Sequence, residues 1–231
     1  ITKLALLMIA VGFTMQFFAK RSKGRHIGEL ILGLGLIFFG MDLMSEGMAP
    51  LKSYEPFLNL MLHMQNPFYG ILVGLIFTAL VQSSSATIGI VIVMAGNGFL
   101  TLPAGIALSM GADIGTCVTA MLAAIGKSRD AVRSALIHVG FNILGVLIWL
   151  PFIGALAAAS IWVSHSDPVD IITMQTLAEN TPREIANANT LLKLSALVLF
   201  LPLISVLVWV VYKFVPINET ENNQRDINPQ F

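Results

Sequence analysis

The residues with most chemistry to offer stand together at Gln82-Ser83-Ser84-Ser85-Ala86-Thr87. They lie inside a stretch, Pro56 to Ala112, that contains no Asp, Glu, Lys or Arg. Hydrocarbon cannot hydrogen-bond hydroxyls and amides, so these groups must be paired internally or line a polar cavity. Three consecutive serines also bond to nearby backbone, which competes with helix and suits a break followed by a new N-cap. Such a break presents two helix ends. The helix starting near Ala86, with Ser84 or Ser85 as N-cap, offers free N–H groups and the positive end of its dipole, an anion site. The helix ending near Val81 offers free carbonyls, which suit Na⁺ or another hard cation. The hydroxyls of Ser83 and Thr87 can serve either ion, and Gln82 adds one acceptor and two donors without burying a charge. The plainer alternative is that the serines are small residues permitting close helix packing.

Asp113 is the only acidic residue between Glu55 and Asp130, inside Gly111-Ala112-Asp113-Ile114-Gly115-Thr116. A carboxylate at membrane depth needs a cation, a crevice or an interface, which makes Asp113 a candidate cation ligand. Thr116 and Thr119 follow at nearby helical positions. Gly111 and Gly115 either interrupt the helix or form a small-xxx-small packing pair. His138 and Asn142, four apart, share a helix face and serve as interhelical glue or pocket lining, as do Asn187 and Asn189. Asp42 and Glu46 read as a solvated helix end or, less simply, a cation pair. There is no Cys/His metal constellation, P-loop or nucleophile elbow, so no residue is assigned a catalytic role and no cofactor is expected. A serine hydrolase built on His138 and Asp113 would need a convergence that spacing alone does not provide.

The elements that position these groups follow from composition. Of 231 residues 56% are hydrophobic and only 11% charged, against about a quarter charged in soluble domains. This is an all-α membrane protein with no place for nucleic acid, since net charge is zero. Residues 1–214 form the transmembrane region. Ile1–Phe18 reads as a membrane helix and not a signal peptide, followed by a cationic cluster from Lys20 to Arg25. A second helix runs from about Ile27 to Met48, and Phe57–Met64 reads as a short interfacial helix.

The arms Phe68–Val81 and Ala86–Gly96 are each too short to span about 30 Å at about 1.5 Å per residue. A re-entrant hairpin with its tip at Gln82–Ser85 sends the next segment, Leu102–Ile125, inward. Lys127, Arg129 and Arg133 then reach the cytoplasmic side, as the positive-inside rule requires. A helix runs outward from Arg133 to about Leu150. Phe152–Ser164 lies along the surface or finishes a bent helix, and His165–Arg183 reads as an outer loop. A final helix from about Ile185 to Phe214 kinks at Pro202, with Lys193 snorkelling or facing a cavity. Residues 215–231 read as a polar, disordered cytoplasmic tail.

The Gln-Ser-Ser-Ser run at 82–85, Gly111–Thr116, the pattern Ala135, Leu136, His138, Phe141, Asn142, and Ile185–Thr190 together resemble the type II sodium-phosphate cotransporter family. The resemblance covers about Glu29 to Leu203. It implies one half of an inverted-repeat transporter in the plasma membrane, the C-terminal repeat, with the N-terminal repeat outside this chain. It also implies symport of inorganic phosphate with sodium ions. On that pattern phosphate contacts Gln82, Ser83, Ser84, Ser85 and Thr116. Na⁺ is held by Gln82, Ser83, Thr87, Asp113, Thr116, Thr119 and Asn142, while His138, Asn187 and Asn189 line the pocket. Asp113 stands where the family pattern has asparagine. A sodium-independent anion channel or a membrane scaffold would use the same fold.

Overall fold

The computed structural model describes residues 2–166 and 173–216. Its regular elements are helical: α1 (Thr2–Phe18), α2 (Ser22–Gly47), α3 (Glu55–His63), α4 (Pro67–Val81), α5 (Ser84–Gly96), α6 (Leu102–Ala124), α7 (Arg129–Trp149), α8 (Ile153–Ser164), α9 (Met174–Phe200) and α10 (Ile204–Phe214). Three continuous helical runs are long and apolar enough to cross a membrane, or up to five spans if each bent helix pair counts as one. Many large apolar side chains, such as Leu80, Trp162 and Val198, remain exposed on the bundle surface, where lipid covers them without penalty.

α6 is the axis on which the bundle is built. Leu102 to Ala112 is almost continuously buried, because α4, α5, α8 and α9 pack around that half. α4 runs parallel to α6 at backbone distance. A Cβ on Gly74 would lie 2.2 Å from the Leu108 carbonyl oxygen, and one on Gly111 would lie 2.1 Å from that of Ile71. Gly115 likewise receives Leu75 and Thr78. These are the small-residue contacts that let membrane helices approach closely. They also answer the expectation of a break at 111–116: α6 is one uninterrupted helix. The Ser109 and Thr116 hydroxyls donate to the Gly105 and Ala112 carbonyls, within the helix's own ladder. The glycines provide approach, not interruption.

The chain breaks elsewhere. α3 meets α4 at 109°, and α9 meets α10 at 77° across Leu201-Pro202-Leu203. The second break turns the expected single kinked helix into two. α9 also begins at Met174, so the predicted outer loop is helical from that point; Asp167 and Asp170 lie outside the described residues. Thr173 and Thr176 form a reciprocal capping box that starts α9 early. Pro182 is carried inside the helix, its ring against Gly96 of α5. α7 starts at Arg129, one turn before the expected Arg133, because Ser128 caps it by accepting from the Ala131 N–H at 3.4 Å. α8 continues α7 through a single 3-10 turn and buries Leu156 and Ser160 against its neighbours.

The two ends of the bundle differ in charge. At one end Asn97 at the close of α5 donates to Ser45 of α2 at 3.0 Å, and Gly98 packs on Met174. At the other, the buried Arg133 bonds Asp130 at 2.7 Å and the Val215 carbonyl at 3.0 Å, with its guanidinium 4.4 Å from the Tyr212 ring. α2 runs toward the first end, where Ser45 meets Asn97, so Lys20, Arg21, Lys23 and Arg25 at its start stand on the side away from Asn97. Residues 217–231 of the predicted tail lie outside the described residues.

Candidate functional site

α4 and α5 are the two arms of a hairpin whose tip is Gln82-Ser83. Asn66 starts the first arm as N-cap, accepting from the Phe68 N–H at 3.1 Å, with Pro67 at the first helical position. Gln82 ends that arm in the left-handed region, φ 58°, and its N–H bonds the Thr78 carbonyl at 2.7 Å. A side chain at that φ carries a cost of about 1–2 kcal/mol, so the turn is held by its surroundings. Ser83 is extended and caps α5, its Oγ accepting from the Ala86 N–H at 3.2 Å. The cap is thus one residue earlier than the expected Ser84 or Ser85. A chain of hydroxyls closes the turn: Thr78 donates to Thr87 at 2.7 Å, and Thr87 donates to the Ser83 carbonyl at 3.1 Å. In one straight helix residues nine apart stand about 13 Å apart along the axis, so this contact requires the chain to fold back.

The tip carries both kinds of helix end. The first turn of α5 leaves the N–H groups of Ser84 and Ser85 without intrahelical acceptors, and the last turn of α4 leaves carbonyls free. Gln82 and Ser85 are exposed, Ser83 and Ser84 half-buried, and Thr87 buried. Above the tip the arms diverge around an apolar cavity of about 120 Å³ lined by Val73, Phe77, Ile90 and Met94, with Met61 and Met64 entering from the α3 side. With an apolar cavity behind it, the tip presents its polar groups on the exposed side.

The other predicted residues fall in separate places. Thr119 is level with the tip, since Gly115 meets Thr78 one turn earlier on the parallel α4; its hydroxyl donates to the Thr116 carbonyl at 2.7 Å. Thr116 lies three residues after Asp113 on the same face of α6. The Asp113 carboxylate, buried to 4%, is bound by the ammonium of Lys193 on α9. On α7, Asn142 donates to the His138 carbonyl at 3.0 Å, and the Cys117 thiol of α6 faces that same carbonyl. Asn187 donates to Ser164 of α8 at 2.8 Å. Asn189, two residues on, has a buried amide oxygen with no hydrogen-bond partner.

Two further residues stand beside these: Thr78, which no motif marks, and Lys193, which pairs with an acid where snorkelling or a cavity was expected. Thr78 mirrors Thr87 about the Gln82–Ser83 turn, a symmetry visible once a two-residue turn is assumed. Lys193 is a cation within an apolar stretch, and Asp113 is the acid that such a cation would seek; their separation of 80 residues hid the match. Asp113 and His138 have partners of their own, and no serine of the tip is bonded to either.

Membrane-length helices around a hairpin closed by paired hydroxyls define a multi-pass membrane protein. The chain belongs to the Na⁺/Pi-cotransporter family, whose model matches residues 1–46 and 52–169. It is 30% identical over 210 residues to the uncharacterized protein YqeW of Bacillus subtilis, covering 90% of this chain and 64% of that protein. It is 37% identical over 136 residues to sodium-dependent phosphate transport protein 2B of Homo sapiens, covering 54% of this chain and 20% of the human protein. Against sodium-dependent phosphate transport protein 2A of Ovis aries it is 36% identical over 137 residues, 57% of this chain and 20% of that one. The chain therefore spans less than two thirds of the length of each of these relatives. No solved structure matches it.

Proposed function

We propose that the protein containing this chain carries inorganic phosphate across the plasma membrane by symport with Na⁺. The observation that carries this reading is the hairpin tip, where the end of α4 at Gln82 and the start of α5, capped by Ser83, meet in one turn closed by Thr78 and Thr87. Phosphate binds Gln82, Ser83, Ser84, Ser85 and Thr116; its oxygens accept from N–H and hydroxyl donors at the positive end of α5. Na⁺ takes carbonyl, hydroxyl and amide oxygens from Gln82, Ser83, Thr87, Thr116, Thr119 and Asn142, while the Asp113 carboxylate is already held by the Lys193 ammonium. Coupling follows because an ordered tip favours both ions at once, which makes their binding mutually positive.

Membership of the Na⁺/Pi-cotransporter family and the names of the human and sheep relatives support the substrate pair. The exposure of Gln82 and Ser85 supports a second, inverted repeat closing over the tip, with alternating access arising as one repeat moves against the other. The position of both cationic segments, 20–25 and 127–133, away from the Asn97 end supports placing that side, and the tail beyond it, in the cytoplasm.

The test is uptake of labelled phosphate into vesicles containing the full-length protein, under an inward Na⁺ gradient or an equal K⁺ gradient. Uptake that needs Na⁺ and survives excess sulfate is expected. Equal uptake in both gradients would replace symport with a channel.

A further inference from the structure

The ion pair between Asp113 and Lys193 is unlike the rest of the polar network. Every other predicted site residue is neutral or, for His138, able to be. Asp113 brings a full negative charge to the middle of α6, 4% exposed, among Ala112, Cys117 and Met110. A bare carboxylate there is strongly disfavoured, so some cation must sit against it. Two sources are available: a dissolved ion, or a side chain.

The fold supplies the side chain. Lys193 lies on α9, whose buried face of Ile185, Ala188 and Leu192 packs on α6. Helical side chains lean toward their own N-terminus. α9 descends from the Asn97 end, as α6 does, so the Lys193 stem reaches back up to Asp113. The Lys193 side chain is 46% exposed, so it is reached from the space beside α6 while its ammonium is fixed to its acid. Thr116 shares the Asp113 face one turn below, and Asn142 of α7 lies near Cys117 on the next turn. A buried carboxylate with hydroxyl and amide side chains on neighbouring turns offers the kind of oxygen donors that a hard cation takes.

We propose that Lys193 is a tethered counter-cation that fills, at Asp113, the place a coupling Na⁺ would otherwise take. The proposal rests on the phosphate-symport reading and deepens it. An ammonium and a sodium ion carry the same charge, so either neutralises Asp113. They differ in that the ammonium moves with α9 and is never released. The Asp113 locus therefore contributes no transported charge, and the protein moves phosphate with one Na⁺ fewer than the same site would need without Lys193. Na⁺ bound at the hairpin tip is unaffected, which keeps transport sodium-dependent.

The experiment compares the full-length protein with Lys193→Met and with Asp113→Asn/Lys193→Met. Methionine keeps most of the stem and removes the charge; the double variant has no charge to neutralise. Thermal unfolding of each is followed while Na⁺ is titrated against K⁺ and N-methylglucamine. Lys193→Met is expected to be destabilised in N-methylglucamine and restored selectively by Na⁺, a Na⁺-dependent shift absent at Asp113 in both the parent and the double variant. In vesicles, Lys193→Met is expected to take one more Na⁺ per phosphate than the parent. Equal instability of Lys193→Met in all three cations would overturn the proposal, as would an unchanged Na⁺-to-phosphate ratio. The unfolding titration needs no substrate, so absence of phosphate uptake by the parent would count against the symport reading alone.

Discussion

Thr78 donates its hydroxyl to Thr87 at 2.7 Å across the two arms of the α4–α5 hairpin, and Thr87 passes the chain on to the Ser83 carbonyl at 3.1 Å. Both threonines are buried, at 0% and 3% exposure, so neither hydroxyl has water as an alternative partner. The pair ties the descending and ascending arms one turn above the tip. Whatever binds at Ser83–Ser85 does so against a turn fixed from behind.

Thr78→Val removes the donor and keeps the shape. A hydrogen bond of this kind contributes about 1 kcal/mol, and the remaining Thr87 hydroxyl retains Ser83 as acceptor. Backbone amides at Gln82–Thr87 are expected to exchange with deuterium several-fold faster, while those of α6 are unchanged. Uniform exchange in variant and parent would show that the α4–α6 contact alone holds the arm.

Substitution at the tip separates folding from binding. Gln82→Gly is expected to preserve or raise stability, by about 1 kcal/mol, because glycine adopts φ 58° without strain. Ser84→Leu is expected to leave membrane insertion and unfolding temperature near those of the parent, since Ser84 is only half-buried, yet to abolish phosphate uptake. Normal uptake by Ser84→Leu would remove the tip from the phosphate path.

Gly111→Ala tests whether the glycines of α6 serve approach. Its Cβ would fall 2.1 Å from the Ile71 carbonyl oxygen, a backbone atom that cannot rotate away. Separation of α4 from α6 is expected to cost about 1–3 kcal/mol, read as a lowered unfolding temperature in detergent. Gly33→Ala, with nothing within 4 Å of the added carbon, is the control and is expected to be neutral. Equal effects at the two glycines would contradict the packing.

Arg133→Ala addresses the opposite end. Arg133 is 2% exposed, and its guanidinium is shared among Asp130, the Val215 carbonyl and the Tyr212 ring. Its loss is expected to release α10 from α7, with faster proteolysis near Lys213. Arg133→Lys should recover only part, because an ammonium cannot hold the planar contacts of a guanidinium.

Much of this architecture is legible along the chain because its causes are local. A stretch without charge from Pro56 to Ala112 fixes a membrane environment, and arms of 15 and 13 residues are too short to cross it. Serine at 83 and asparagine at 66 cap helices through bonds spanning three residues or fewer, so they can be anticipated to within one position. The family pattern at the hairpin and at Gly111–Thr116 is local for the same reason.

What the tertiary structure decided are relationships between distant residues. Gly111 and Gly115 have the composition of a break, and only the arrival of α4 at backbone distance makes them packing surfaces within a continuous helix. The early start of α9 depends on a cap at Thr173 and on Gly96 making room for Pro182. The partner of Asp113 depends on which face of α9 meets α6 and at what level, and no local pattern encodes that. The sequence determined which groups are too polar for lipid; the packing determined which of them satisfy one another and which are left at the hairpin tip to meet an ion.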